Sequence, residues 1–249
     1  MGLIDAPTLA EKLRPPRALT ELGGSLFAEP AEGSTTAWLA WWSGAREELA
    51  EAIARARSAG ATRLTAGGPP GNYVESGVDA SDADRVAALL AAGFTTRGEH
   101  LDLRVDTAVA PRPASEATVA RSADDLRALI GPAFGSAWQW EAERALAHHG
   151  LFTARSTGGD WLGFAAHSGN LCHRGTFGPI GVLPSARGRG VGVALASAVF
   201  ADLHARGFAE ATVPWVAAET VAFYESMVCL RGRTRRLSMT LALSGRGSP

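Results

Sequence analysis

The sequence predicts an α/β protein with a mixed (α+β) sheet flanked by helices, laid out as two domains in tandem. Three observations carry this expectation. Short apolar runs alternate with helical segments along the chain. A proline-rich stretch, Ala108-Val109-Ala110-Pro111-Arg112-Pro113-Ala114-Ser115-Glu116, lacks the period of either element and reads as a linker. On either side of it the elements follow a similar order. The expected division is therefore a domain over 1–107, a linker over 108–116 and a second domain over 117–249.

In the second half, Ala117 to Ala120 reads as a short strand. Ser122 is placed to cap a helix with Asp124 and Asp125 in its first turn, and Gly131-Pro132 to end it. A second helix is expected from Ser136 to His149. Phe152–Arg155 and Trp161–His167 flank the turn Thr157-Gly158-Gly159-Asp160 as a hairpin. Thr176 to Val182 is a further strand, and Gly190 to Arg206 a long helix with Gly207 at its C-terminal cap. Ala211–Val213 then reads as a strand, Glu219 to Met227 as a helix and Arg235 to Leu243 as the last strand.

The first half repeats the later part of that order. Strand-like Thr36–Trp42 leads to a helix over Ala45–Ser58 closed by Gly60. Arg63–Ala66 is a strand, Asp82–Ala92 a helix closed by Gly93, and Glu99–Val105 a strand. Gly93-Phe94 before Glu99–Leu103 mirrors Val228-Cys229 before Arg235–Met239, so a duplication is expected. A chance match of one helix–strand unit is the alternative.

Composition narrows the function classes. The chain has 249 residues, 46% hydrophobic and 20% charged, with a net charge of −1. Its pI is about 6.6 and its mean hydropathy is near zero. No general attraction to nucleic acid or anionic membrane follows, so any phosphate must be held by a local site. Cys172 and Cys229 are far apart and in no CxxC pair; neither a disulfide framework nor a metal site is expected, and a reducing cytoplasm fits. The apolar stretch Val191–Leu203 is too short and too interrupted to span a bilayer.

The chemistry concentrates between Phe177 and Leu203. An apolar strand ends at Val182, Pro184 blocks its continuation, and Arg187-Gly188-Arg189-Gly190-Val191-Gly192 opens a helix. Glycines at such a turn let the backbone approach a ligand, and exposed N–H groups with the positive end of the helix dipole form an anion site. Arg187 and Arg189 add cationic charge. Three readings compete: a packing turn, a dinucleotide site, and a cradle for the pyrophosphate of coenzyme A. A dinucleotide fingerprint should follow the first strand of its domain, and this run lies late in its half.

The pattern Val182-x-Pro184-x-x-Arg187-Gly188-x-Gly190-x-Gly192, followed by Phe223-Tyr224-Glu225, resembles the signature of the GNAT superfamily of N-acyltransferases. The tandem layout is similar to that of mycothiol synthase and related two-domain members. The resemblance covers the second half, and by itself implies acetyl-CoA as acyl donor and a primary amine as acceptor. It places Ile180 and Val182 along the pantetheine arm, which adds to the strand edge. It turns the amides of Gly188, Arg189, Gly190, Val191, Gly192 and Val193 toward the pyrophosphate. The Val182 N–H is left to polarise the thioester carbonyl. Tyr224 takes the position of the acid that returns a proton to sulfur. The base is open: Glu219 on the same short helix leads, His173 and His167 are alternatives, and a water chain could serve instead.

Two departures touch local cofactor contacts. Ala217-Ala218 stands where members commonly carry an asparagine, and Val228-Cys229 replaces the usual Gly-Phe. The first half has no glycine cradle: Ser43-Gly44-Ala45-Arg46-Glu47-Glu48 holds one glycine and two carboxylates that would repel pyrophosphate. It reads as a degenerate copy. The function expected is transfer of an acetyl or short acyl group to a small-molecule amine. A non-catalytic acyl-CoA sensor and an acyltransferase acting on protein are the alternatives. The acceptor and the oligomeric state are open; Trp138, Trp140, His148 and His149, and for a cationic acceptor Glu141 and Glu143, are acceptor-side candidates.

Overall fold

The computed structural model describes residues 4–13, 19–110, 112–114, 116–122 and 126–243. The chain divides into two compact units, Met1–Leu101 with Thr234–Pro249, and Asp102–Arg233. This division differs from the expected one. Segment 108–116 is tied into the second unit, where the Arg112 amide donates to Ser197 Oγ at 2.8 Å and the Thr107 amide to the Ala209 carbonyl at 3.1 Å. The last strand, from Thr234 onward, belongs to the first unit. Pro111 and Ser115 lie outside the described residues.

The first unit opens with α1 (Ala6–Lys12), whose start is fixed by Asp5 accepting from the Thr8 amide at 2.8 Å. A hairpin, β1 (Thr20–Leu22) and β2 (Ser25–Ala28), turns on Gly23-Gly24, both at positive φ. Then follow β3 (Thr36–Trp41), α2 (Arg46–Ser58), β4 (Arg63–Ala66), β5 (Val78–Asp79), α3 (Ala83–Ala91) and β6 (Thr95–Asp106). The final strand β12 (Leu230–Ala242) runs antiparallel to β4 and β5. The strand order is β1-β2-β3-β4-β12-β6, with β3 and β4 parallel, so the sheet is mixed. Leu49, Ala52 and Ala56 recur on one side of α2 and bury against Leu39, Leu64 and Met239.

The second unit carries a four-stranded antiparallel sheet in the order β10-β9-β8-β7. These strands are β7 (Ala117–Arg121), β8 (Leu151–Ser156), β9 (Trp161–His167) and β10 (Phe177–Val182). On one face sit α4 (Arg127–Phe134) and α5 (Ser136–Ala147), where Ile130, Ala142 and Ala145 pack on Leu151, Phe164 and Ala166. On the other lies α6 (Val191–Ala205), from which Phe200 stacks on Phe177 at 4.7 Å. Then come β11 (Glu210–Val216), which pairs with β6, and α7 (Val221–Glu225).

Sequence expectation and structure part at several places. The helix after β7 begins at Arg127, with Leu126 in the cap position and no side-chain cap; Asp124 and Asp125 lie outside the described residues. Gly131-Pro132 does not end α4. The helix runs to Phe134 with Pro132 inside it, and a Cβ at Gly131 would meet the end of the Gln139 side chain of α5. α7 is shorter than expected, and β6 and β12 start earlier and are longer. α1, β1, β2 and β5 are additions; each is seven residues or fewer, too short to show a period. Among the described residues no helix is long and apolar enough to cross a membrane.

One packing constraint bears on the site. A Cβ at Gly163 of β9 would collide with the Gly181 carbonyl and approach the Val182 Cα to 3.0 Å. Gly163→Ala should therefore push β9 away from β10 and lower the unfolding free energy by roughly 1–3 kcal/mol, read as a shifted urea midpoint. An unshifted midpoint would show that this contact carries no constraint.

Candidate active site

The candidate site is built on the two edges of β10. Its pairing with β9 sets Val182 opposite Gly163, and the Leu183 amide donates to the Leu162 carbonyl at 2.9 Å. In an antiparallel ladder such a bond marks its neighbours as the wide pairs, whose peptide groups point away from the partner strand. The N–H and C=O of Val182, and of Ile180 two residues earlier, thus face the edge opposite β9. Next to that edge is β11, which meets β10 only through an isolated parallel bridge, Thr176 to Thr212. Beyond the bridge the two strands part, each paired on its other side.

At the end of β10 a 3-10 turn, Pro184–Ala186, and the run Arg187–Gly190 carry the chain into α6. Gly188 (φ +75°) and Gly190 (φ +77°) are both left-handed, and a Cβ on either would meet nothing within 4 Å. Conformation, rather than crowding, requires glycine at these positions. Gly190 caps α6 without a side-chain hydrogen bond, and the first bond of the helix runs from the Ala194 amide to the Gly190 carbonyl at 3.0 Å. Among the described residues the amides of Gly188, Arg189, Gly190, Val191, Gly192 and Val193 have no acceptor. Six consecutive bare amides at the positive end of a 15-residue helix form an anion site.

The arginines are partly committed. Arg187 donates from Nε to the Val182 carbonyl at 3.3 Å. Arg189 pairs with Glu116 at 3.0 Å and also bonds the Ser185 carbonyl. A Cβ at Gly192 would come within 3.5 Å of Phe223 and 3.6 Å of Val182 Cγ2, so this glycine, the Val182 side chain and α7 meet at one point.

Tyr224 lies on α7, 6% exposed, with its ring edge-on to Phe177 at 5.9 Å. Burial raises its pKa and keeps the hydroxyl protonated across the neutral range. Glu219 sits on the exposed 3-10 turn Ala218–Thr220 that leads into α7. His173 is also exposed, on the turn Cys172–Arg174 ahead of β10.

His167 is differently placed. It is fully buried, with Nδ1 2.8 Å from Ser168 Oγ and Nε2 2.7 Å from Asp202 Oδ2 on α6. Asp202 also takes Arg206 Nε at 2.8 Å and Arg121. Arg206 extends the network to the carbonyls of His148 and His149, at 3.0 and 2.7 Å. Burial pushes the Asp202 carboxyl up, but bonds from Arg121, His167 and Arg206 outweigh this and hold it below its ordinary value. Burial lowers the His167 pKa to about 4. The ring is a neutral strut between β9 and α6, unsuited to collecting a proton from solvent.

On the face of β10 opposite α6 the sequence reading missed a tier of aromatic rings. Phe134 stacks on Trp138 at 5.4 Å and meets Phe164 at 5.6 Å and Trp161 at 6.1 Å. A Cβ at Gly181 would lie 2.7 Å from Phe134 Cζ, so the ring rests flush on the strand one residue before Val182. The i, i+4 spacing of Phe134 and Trp138 bridges two helices and carries no single-helix period. Of the acidic candidates, Glu141 is buried, and Glu143 accepts from Gln139 Nε2 at 3.0 Å.

The first unit presents a contrast at the start of α2. The Glu48 carboxylate accepts from the Ser43 amide at 3.1 Å and from Ser43 Oγ at 2.8 Å, while the Ala45 amide donates to Ser43 Oγ at 3.3 Å. Among the described residues the first-turn amides of α2, those of Arg46, Glu47 and Glu48, have no backbone acceptor either, so the contrast lies in the carboxylates of Glu47 and Glu48 at that turn.

Comparison with known proteins bears on the family and the fold. Residues 123–227 match the model of the Acetyltransferase (GNAT) family. No curated protein matches the chain. Among solved structures it is similar to a tandem GNAT protein from the clavulanic acid biosynthesis pathway, with 18% identity over 97% of this chain and 89% of that one and a TM-score of 0.63. It is also similar to a GCN5-related N-acetyltransferase from Kribbella flavida, with 16% identity over 98% and 95% of the two chains and a TM-score of 0.64. A GCN5-related N-acetyltransferase from Sphaerobacter thermophilus matches with 16% identity and a TM-score of 0.55, over 72% of this chain and 59% of that one. At these identities the likeness is one of fold.

The His167 strut sets a pH dependence. The ring titrates near 4 in the folded protein and near 6.5 when unfolded, so between those values the unfolded chain binds the extra proton. Its contribution is complete above about pH 6.5 and is lost as pH falls toward 4, roughly 3 kcal/mol in all. Urea unfolding from pH 7 to pH 4 should show wild type losing that much more stability than His167→Gln. Parallel pH profiles would mean the imidazole is not held neutral.

Proposed function

We propose, taking as premise that residues 123–227 are a GNAT acetyltransferase domain, that this chain transfers an acetyl group from acetyl-CoA to the primary amine of a small molecule. The observation that carries the reading is the row of bare amides from Gly188 to Val193 beside the free edge of β10. One feature binds a diphosphate and the other an extended arm, and coenzyme A joins the two chemistries in one molecule.

The thioester supplies an activated acyl carbon; the amine nitrogen bonds to it, the carbon–sulfur bond breaks, and the thiolate leaves with the electron pair. The protein's share is positioning and charge. The amides of Gly188 to Val193 hold the pyrophosphate, with Arg187 beside them. The peptide groups of Ile180 and Val182 pair with the pantetheine arm as a strand would. The Val182 N–H donates to the thioester carbonyl oxygen, where negative charge gathers as the amine attacks. Tyr224, kept protonated by burial, donates to the departing sulfur. A phenol raised in this way releases its proton reluctantly, so its share is chiefly a hydrogen bond to the developing thiolate. Glu219, exposed beside α7, takes the proton from the amine directly or through water.

The first unit, with two carboxylates in the first turn of α2, is read as a copy that no longer binds acyl-CoA. Cys172 and Cys229, neither of them in a disulfide, fit a reducing cytoplasm. The buried Tyr224 also leaves room for a protein that senses acyl-CoA without transferring it; acetyl-CoA binding with no thiol release across a wide amine panel would select that reading.

Gly190→Glu sets bulk and negative charge at the cap of α6 and should weaken acetyl-CoA binding by more than about 100-fold in calorimetric titration, with an unfolding transition still present. Undiminished affinity would remove the cradle. Tyr224→Phe should lower kcat by roughly 10- to 100-fold while acetyl-CoA affinity stays within about twofold; an unchanged kcat would take Tyr224 out of the reaction.

A further inference from the structure

The side of β10 away from α6 is where an acceptor amine must approach, since the opposite face is filled by α6 and the open edge is taken by the pantetheine arm. On that side the strand has no side chain at Gly181. Phe134 fills the gap, its Cζ 2.7 Å from the position a Cβ would take. Trp138 covers Phe134 with planes 24° apart, and Phe164 and Trp161 close the tier behind them. One face of the Trp138 indole is therefore spent on Phe134, and the residue is still 36% exposed. An aromatic surface thus lies against Gly181, one residue before Val182.

The charged groups nearby argue against a polycation. Of the two carboxylates that α5 offers, Glu141 is 6% exposed. Glu143 holds Gln139 Nε2 at 3.0 Å and lies 3.9 Å from Arg127. A polyamine or aminoglycoside needs several open acidic partners, whereas a ring on a short alkyl amine needs a flat apolar face and one route to the thioester. Offset stacking on an indole supplies the first.

We infer that the acceptor is an arylalkylamine and that Trp138, stacked on Phe134 over Gly181, is the residue that selects it. The inference rests on the acyltransferase reading above and narrows it to a substrate class. Trp138 touches the acceptor's ring and no reacting atom, so it governs KM and leaves the chemical step alone.

The test measures thiol release from saturating acetyl-CoA with 2-phenylethylamine, n-butylamine and spermidine, alongside calorimetric titration of acetyl-CoA. Wild type should prefer 2-phenylethylamine by at least about tenfold in kcat/KM. Trp138→Ala should raise its KM by about tenfold with little change in kcat or in acetyl-CoA affinity, and Trp138→Phe should restore most of the loss. Equal or better use of n-butylamine or spermidine by wild type overturns the inference, as does an unchanged preference in Trp138→Ala. So does acetyl-CoA binding with no release from any of the three amines. In these cases bound acetyl-CoA leaves the cradle standing; a protein that does not bind acetyl-CoA overturns both.

Discussion

Backbone amides without acceptors are uncommon in folded proteins, because an unmet donor forfeits about 1–3 kcal/mol once water is excluded. Here six in succession, from Gly188 to Val193, lie at and just before the N-terminus of α6 with no acceptor among the described residues. Gly188 and Gly190, both left-handed, set the turn that aligns them. Burial of Val191, Leu195, Val199 and Phe200 pins the helix behind them. The open edge of β10 leads to the same point, since Val182 approaches Gly192 and Phe223 there. Strand edge, turn and helix end converge on one place, and everything proposed about the chemistry follows from it.

The first unit shows the same topology put to another use. Strand β3 also leads to a helix, α2, yet Glu48 folds back on the amide and hydroxyl of Ser43, and Glu47 and Glu48 place two carboxylates in its first turn. Carboxylates at a helix start oppose the approach of an anion to it. The difference lies in side chains on a shared backbone plan. Fold likeness alone does not distinguish the two helix starts, whereas their side chains do.

Much of this was legible in the sequence because it depends on local rules. Glycines at a strand-to-helix turn, proline after a strand and apolar runs of strand length are short-range signals, and they located β10, the glycine turn and α6 within a residue or two. The acidic start of α2 was legible for the same reason, in Glu47 and Glu48. What could not be read were facts of tertiary distance. Gly131 looked like a terminator, but it lies inside α4, facing the end of the Gln139 side chain. His167 looked available as a base, but Asp202, 35 residues later, and two arginines make it a strut. The proline-rich segment read as a linker, yet Thr107 and Arg112 are bonded into the second unit. The ring tier over Gly181 joins α4, α5 and β9, so no single period announced it.

The central claim is that the amides of residues 188–193 are the seat of a diphosphate. It is tested most directly by following backbone amide resonances of the protein by two-dimensional nitrogen–proton NMR during titration with coenzyme A. The account predicts that Gly188, Gly190 and Gly192 move downfield together and saturate at one concentration, as hydrogen bonds to phosphate oxygen form. If coenzyme A leaves those three resonances in place, whether it binds elsewhere or nowhere, the account is contradicted.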